Sequence, residues 1–425
     1  MRRVLLPGIL VYTLLLAGLV LLRGSLLALA LPFVIYILVG LLRGPEEVRL
    51  EITRSVSPER SPLDQPVRVR LIVRNLGASL EHVLLQDMLP AALKVIEGKS
   101  SRLTSLPRGA VLTWEYSVSG PRGCYPLSTV NVTAGDHFGL VNIRQSIPTT
   151  GQVFFLPPVP RLRRVYIRPR LTLVYSGNIP ARQGGQGVEF FGVREYRPGD
   201  SPQWINWHAS ARHPDMLYCN EFEQEHVTDV GVILDARRLT NIIKESSLFE
   251  HSVVAVSALS DAFLNSGNRV GLLVYGTYLH WTFTGYGKLQ RERILQALAR
   301  ATIGDSLVFS DLAHLPARLF PANSQLVLVS PLHADDLQVL VQLRSRGYQL
   351  IVISPDPISF ELQKLDHRPN VEKAARVLRM ERNLLLTQLY RAGVQVVNWD
   401  VTRPFDQVVQ GFLGRPLAWM RMIRR

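Results

Sequence analysis

Between residues 229 and 410, short continuous apolar runs alternate with longer amphipathic stretches, and few folds accommodate that rhythm. Residues 230–234 are a continuous apolar run of buried-strand type, and 270–275, 326–329, 350–353 and 394–397 read as further strands. Residues 247–265, 288–301, 335–344 and 371–391 read as helices; in the first, Leu248, Phe249, Val253, Val256, Leu259 and Phe263 form an apolar stripe. Residues 280–283 add a strand beside 270–275. Strand and helix in alternation predict a doubly wound, largely parallel α/β sheet with right-handed crossovers.

Residues 45–156 follow a different period. Val67-Arg68-Val69-Arg70-Leu71 alternates, as does Leu112-Thr113-Trp114-Glu115-Tyr116. Turn signals recur at Asn75-Leu76-Gly77, Pro107-Arg108-Gly109 and Gly120-Pro121-Arg122-Gly123. Short strands with regular turns predict an all-β sandwich of immunoglobulin-like type.

Residues 4–22 and 26–42 are almost entirely apolar and are separated by Arg23-Gly24-Ser25. Within residues 1–44 they are expected to form a transmembrane helical hairpin that anchors the chain in a membrane. Arg2 and Arg3 before it, and Arg43, Arg49 and Arg54 after it, place both ends in the cytoplasm by the positive-inside rule. The expectation is a multi-pass protein of the cytoplasmic (inner) membrane with its soluble domains facing the cytoplasm. A cleaved signal peptide is the rival, but the second apolar run continues straight through the candidate cleavage site.

The net charge of +14 is spread along the chain, with concentrations at 161–170 and in the basic, apolar tail 411–425. It suits an anionic surface; no nucleic-acid-binding motif accompanies it, so no nucleic acid is expected. Cys124 and Cys219 are single and far apart, which gives neither a disulfide framework nor a zinc motif. No nucleotide-binding or hydrolase motif is present, and the chain is expected not to be an enzyme.

Residues 157–186, opened by Pro157, Pro158 and Pro160 and closed by Gln183-Gly184-Gly185-Gln186, read as a linker. A dense run follows within 187–228. Arg194-Glu195-Tyr196-Arg197-Pro198-Gly199-Asp200 precedes Trp204, Trp207 and Arg212. Buried charges need partners, and Pro198-Gly199 marks a turn. The run is either an internal clamp or a partner-binding surface. His208, His213 and Cys219 are close in sequence, but nothing in their spacing orients a nucleophile and base.

Glu189-Phe190, Gly192, Arg194-Glu195-Tyr196, Pro198-Gly199-Asp200, Ile205, Trp207, Ser210-Ala211-Arg212 and Glu221 together resemble the signature of the bacterial domain-of-unknown-function 58 family. Arg122-Gly123-Cys124-Tyr125 and Asp136-His137-Phe138-Gly139-Leu140 are similar to further family features, with His137 in place of a proline. The resemblance implies a von Willebrand factor A-like domain at 229–410 and partnership with a MoxR-type AAA+ ATPase in protein or envelope assembly. In von Willebrand A domains the first strand ends on Asp-x-Ser-x-Ser, which holds Mg²⁺ through oxygen ligands. Here the stretch reads Asp235-Ala236-Arg237-Arg238-Leu239, so Asp235 is the one retained ligand candidate. Pro331 stands where a second acid is expected. The site is read as degenerate, with no cofactor and no bound Mg²⁺, and Asp235 is expected to pair with Arg237, Arg238 or an arginine of the signature. The expected role is a non-enzymatic scaffold. The alternatives are a metal-dependent adhesion protein and an enzyme of envelope metabolism.

Overall fold

The computed structural model describes residues 2–42, 48–63, 65–135, 142–162, 165, 173–212, 215–240, 248–276, 279–304, 311–321, 324–365 and 368–413. The 136–140 motif, His213 and most of the basic tail lie outside these. The chain divides into two compact units, Met1–Leu156 and Pro157–Arg425.

The first unit opens with helices α1 (Arg2–Val20) and α2 (Gly24–Leu42). They approach closely at Gly18, where a Cβ would lie 2.9 Å from Leu27 Cδ2. The expected transmembrane hairpin is overturned: among the described residues, no helix is long and apolar enough to cross a membrane. Each helix has 19 residues, about 28 Å at 1.5 Å per residue, against the roughly 20 apolar residues that a span needs. Helix α1 also opens on Arg2 and Arg3. The placement as a multi-pass protein of the cytoplasmic membrane falls with the hairpin.

Eleven strands follow in the described part of this unit. They are β1 (Leu50–Ser57), β2 (Arg60–Pro62), β3 (Val67–Asn75), β4 (Leu80–Asp87), β5 (Lys94–Glu97), β6 (Ser101–Leu106), β7 (Val111–Ser119), β8 (Gly123–Pro126), β9 (Thr129–Gly135), β10 (Asn142–Pro148) and β11 (Gln152–Leu156). Two four-stranded antiparallel sheets, β1-β3-β7-β5 and β10-β9-β4-β6, enclose one core; β2-β11-β8 forms a third, smaller sheet. Strict alternation along β3 buries Val67, Val69, Leu71 and Val73 and exposes the arginines between them. Opposite them lie Val83, Leu85, Val130 and Val132. From the middle of β1, Arg54 donates to Asp87 and to the Leu127 carbonyl, while the Tyr116 hydroxyl donates to the same carboxylate. Both members of the ion pair are fully buried. Burial, then the Asp87 charge and hydrogen bond, push the Tyr116 hydroxyl far above its ordinary pKa.

The second unit begins with a ribbon of β12 (Leu173–Glu195) and β13 (Tyr218–Val227), antiparallel. The strand starts inside the segment expected to be a linker. Register shifts between Val174 and Ile179, Pro180 and Gly184, and Gly185 and Phe190 absorb the proline and glycines that argued against regular structure. Helix α3 (Trp207–Ser210) lies between the two strands in sequence.

Six strands then build the main sheet: β14 (Asp229–Asp235), β15 (Arg269–Tyr275), β16 (His280–Gly285), β17 (Gln325–Val329), β18 (Gln349–Pro355) and β19 (Gln395–Trp399). The order is β16-β15-β14-β17-β18-β19, parallel except for β16 at the edge. The helices are α4 (Leu248–Asn265), α5 (Gly287–Arg300), α6 (Asp336–Ser345), α7 (Pro357–Leu362), α8 (Pro369–Arg391) and α9 (Phe405–Leu413). Both sheet faces are covered. Val230, Val232 and Leu234 pack in a core with Phe249, Leu298 and Val409. Ile233, from the other face of β14, packs with Leu340, Leu343 and Leu389. Gly231 is required by packing: a Cβ there would sit 2.3 Å from the Phe320 ring. This is a doubly wound α/β sheet; an identity as a von Willebrand A domain rests on the resemblance alone.

Candidate functional site

In open α/β sheets, ligands bind beyond the carboxyl ends of the strands. Here that edge is filled by side chains of the chain itself. Asp235 closes β14 and is fully buried; Arg237, two residues on, is also buried. Its guanidinium grips two carboxylates. Nε donates to Asp235 Oδ1 at 2.9 Å and Nη2 to Asp235 Oδ2 at 2.8 Å. On the other side, Nη1 donates to Asp336 Oδ1 at 2.9 Å and Nη2 to Asp336 Oδ2 at 2.8 Å. Asp235 Oδ2 also accepts from Ser330 Oγ at 2.6 Å and Thr240 Oγ1 at 3.0 Å. Burial works to lower the Arg237 pKa, but the hydrogen bonds and charges of the two aspartates outweigh it and hold the pKa far above its ordinary value.

The backbone is shaped for this arrangement. Ala236 N–H donates to the Tyr275 carbonyl, and a Cβ on Gly276 would sit 2.4 Å from the Ala236 backbone. Gly304 N–H meets the Ala236 carbonyl, which fixes the turn that carries Arg237 inward. On β17's exit, Ser330 Oγ accepts from Leu332 N–H, and Leu332 is held at φ 67°, a costly conformation for a branched side chain.

A second arginine fills the neighbouring strand ends. Arg382, reaching from α8, donates to the Pro331 carbonyl at 2.8 Å and to Ser354 Oγ at 2.9 Å. It lies 3.4 Å from Asp356, which caps α7. Burial lowers the pKa of Arg382, and Asp356 opposes that shift.

A divalent cation does not fit beside Asp235. The space between the two carboxylates belongs to a guanidinium, and the Arg237 side chain supplies donors where a metal needs oxygen acceptors. Among the described residues, no group of three or more His, Cys, Asp or Glu is placed to hold a metal ion. Of the partners that the sequence offered Asp235, the structure selects Arg237, while Arg238 is exposed. The sequence places Asp336 only within the helix expected over 335–344 and gives Arg382 no distinguishing mark. The Asp335-Asp336 pair after a buried strand is a weak signal for the first. Nothing in the spacing of the α8 arginines distinguishes the second.

The signature run divides into an internal clamp and an outer face. Arg194 meets Asp200 in a bidentate pair, Nη1 to Oδ2 at 2.8 Å and Nη2 to Oδ1 at 2.7 Å. Arg194 Nε lies 3.4 Å from Glu221 on β13. Asp200 Oδ2 also accepts from Arg197 N–H at 2.7 Å, closing a turn in which Gly199 takes φ 107° behind Pro198. Tyr196 N–H donates to the Leu217 carbonyl. Glu195 is exposed, and Gly192 pairs with Glu221. Glu189 lies within β12, but its side chain is not among those described. Outside the clamp, Asn206 caps α3 by accepting from Ala209 N–H and donates to Asn220 at 2.7 Å. Trp207, next to that cap, is 68% exposed. Arg212 is exposed too, its Nη2 3.3 Å from His208 Nε2.

Cys219 is buried. Burial, then the Asp200 charge, raise its thiol pKa against the pull of Arg194, the opposite of an activated nucleophile. Among the described residues it has no histidine hydrogen bond.

The Arg194 hydrogen bond, then that of the Arg197 amide, hold Asp200 below the ordinary carboxylate pKa. The clamp's contribution is therefore complete above the ordinary carboxylate range and is lost as pH falls through the lowered folded value. Hydrogen exchange at the Arg197 amide should show protection that persists through mild acid and vanishes only below the ordinary range. Protection lost at or above that range contradicts the assignment, as does identical protection in Asp200→Ala.

A family model described as "Protein of unknown function DUF58" matches residues 192–364. The match spans the clamp, Trp207, Asp235, Arg237 and Asp336; the first unit and α8 lie outside it. A curated relative, the uncharacterized protein YeaD of Bacillus subtilis (strain 168), is 24% identical over 252 residues, 58% of this chain and 60% of that protein. The chain thus matches less than two thirds of that relative's length. Among solved structures, a FixG-related protein from Vibrio parahaemolyticus matches with 14% identity and a TM-score of 0.17, covering 25% of this chain and 98% of that one. A β-glucosidase from Erythrobacter marinus matches with 14% identity and a TM-score of 0.13, covering 24% of this chain and 16% of that one.

Proposed function

We propose that the chain, whose residues 192–364 match the model of a family of unknown function, is a non-enzymatic interaction protein, an adaptor for a MoxR-type AAA+ ATPase in protein or envelope assembly. One observation supports this most. The sheet edge that would receive a small ligand is filled by Arg237 and Arg382, each satisfied from within. What the signature region offers outward is a tryptophan and an arginine, the residue types that dominate binding hot spots. The ATPase itself comes from the family resemblance.

Contact falls to Trp207 and Arg212, with Arg194 and Asp200 supporting the loop that presents them. Full-length wild type, Trp207→Ala and Asp200→Ala should be compared by affinity capture from cell extract at matched folded yield. Wild type should enrich an AAA+ ATPase. Trp207→Ala should lower affinity by about 2 kcal/mol or more, roughly thirtyfold, without loss of folding. An ATPase captured equally by Trp207→Ala moves the contact elsewhere. No ATPase with wild type ends the adaptor reading.

A further inference from the structure

Helix α8 carries an apolar stripe on the side that its own domain does not use. Ala375 and Leu389 are buried, Leu385 packs against the core with Val394, and Arg382 reaches the sheet edge, so these residues define the inward line. Val377, Met380 and Leu384 follow i, i+3, i+7 on the opposite side. They are 57%, 68% and 65% exposed. Single exposed apolar residues are ordinary. Three on successive turns, spanning about 10 Å of helix, form a seam of the kind that packs against another helix.

The flanks select the occupant. Lys373, Arg376 and Arg391 are exposed along the stripe and make no ion pair among the described residues; the acids of this helix are the exposed Glu381 and Glu372, so the bases outnumber them. A second copy laid stripe to stripe would oppose like charges. The chain's own 415–425 segment, with Arg415, Arg421, Arg424 and Arg425 and no acid, would do the same. We propose that the outer face of α8 docks an amphipathic helix of a partner protein, one whose apolar stripe is flanked by Asp and Glu. Leucine-like anchors would lie against Val377, Met380 and Leu384, and carboxylates against Lys373, Arg376 and Arg391. This surface lies outside the signature region and does not depend on the ATPase reading.

The test uses two synthetic helical peptides with the same leucine stripe, one flanked by Glu and one by Lys, and the full chain. The Glu peptide should bind wild type, with the Lys peptide roughly tenfold or more weaker. Lys373→Glu with Arg376→Glu should reverse that preference. Met380→Ser with Leu384→Ser should abolish both while leaving the chain folded, its melting temperature lowered only by the small loss of helix propensity, since both side chains are mostly exposed. Absent Glu-peptide binding, equal affinity for both peptides, or binding that survives the double serine variant would overturn the proposal. So would self-association of the wild type that the double serine variant abolishes, because a second copy would then be the occupant. ATPase capture by the same serine variant should match wild type, which keeps this test separate from that of Trp207.

Discussion

Arg237→Ala lowers the stability of the α/β unit by about 3–5 kcal/mol, the cost of leaving buried charge uncompensated. Two carboxylates, not one, lose their cation, since Arg237 holds both Asp235 and Asp336 in bidentate geometry. Arg237→Lys should recover only part of the loss, because an ammonium is a point charge and cannot present a planar fork to both partners. Replacing the whole cluster, Arg237→Met with Asp235→Asn and Asp336→Asn, should cost far less than Arg237→Ala alone. That contrast separates charge from shape. Urea unfolding measures the size, and hydrogen exchange in β14 and β17 locates it. Adding millimolar Mg²⁺ should leave the wild-type melting temperature unchanged. A Mg²⁺-dependent rise that Asp235→Ala removes would show that the arginine yields to a metal.

Asp87→Ala should be similarly severe in the first unit. It strands the Arg54 guanidinium between two sheets with only the Leu127 carbonyl, and it takes the acceptor from the Tyr116 hydroxyl. About 3–5 kcal/mol is again expected. Tyr116→Phe, which removes one hydrogen bond to a charged group and leaves the ion pair intact, should cost about 1.5–3 kcal/mol. Protection should fall first in β1 and β4, which carry Arg54 and Asp87. If Asp87→Ala is no worse than Tyr116→Phe, the ion pair contributes little.

The parts of this architecture written in local periodicity were legible from sequence. Val230 to Leu234 and the three comparable runs before the last read as buried strands and form them, the last forms the half-buried edge strand β19, and the alternation at Val67 to Val73 marks a half-buried strand. The start of β12 was not legible. Pro180 and Gly184-Gly185 are local breakers, and it is pairing with β13 through shifted register that makes a strand of them. The α1 and α2 hairpin misled for a different reason: apolar composition passes for a span until helix length is set against bilayer thickness. At the candidate site, an arginine partner for Asp235 was legible, with Arg237 one of the candidates because it lies two residues away. Asp336 and Arg382 were not, because their partners are brought to them only by the sheet.

That last separation has a consequence in time. Asp235 and Arg237 leave the ribosome together, but Asp336 follows Arg237 by 99 residues. At ordinary elongation rates the second carboxylate arrives about 5–20 s later. During that interval β15 can already pair with β14, while β17, on the other side of β14, has not yet been made. A nascent chain therefore waits with a guanidinium that has one of its two carboxylate partners and an open, apolar strand edge side by side, at the stage when an unpaired edge is most exposed to wrong partners. Both exposures end together, because β17 covers the edge and Asp336 opens the helix that follows it.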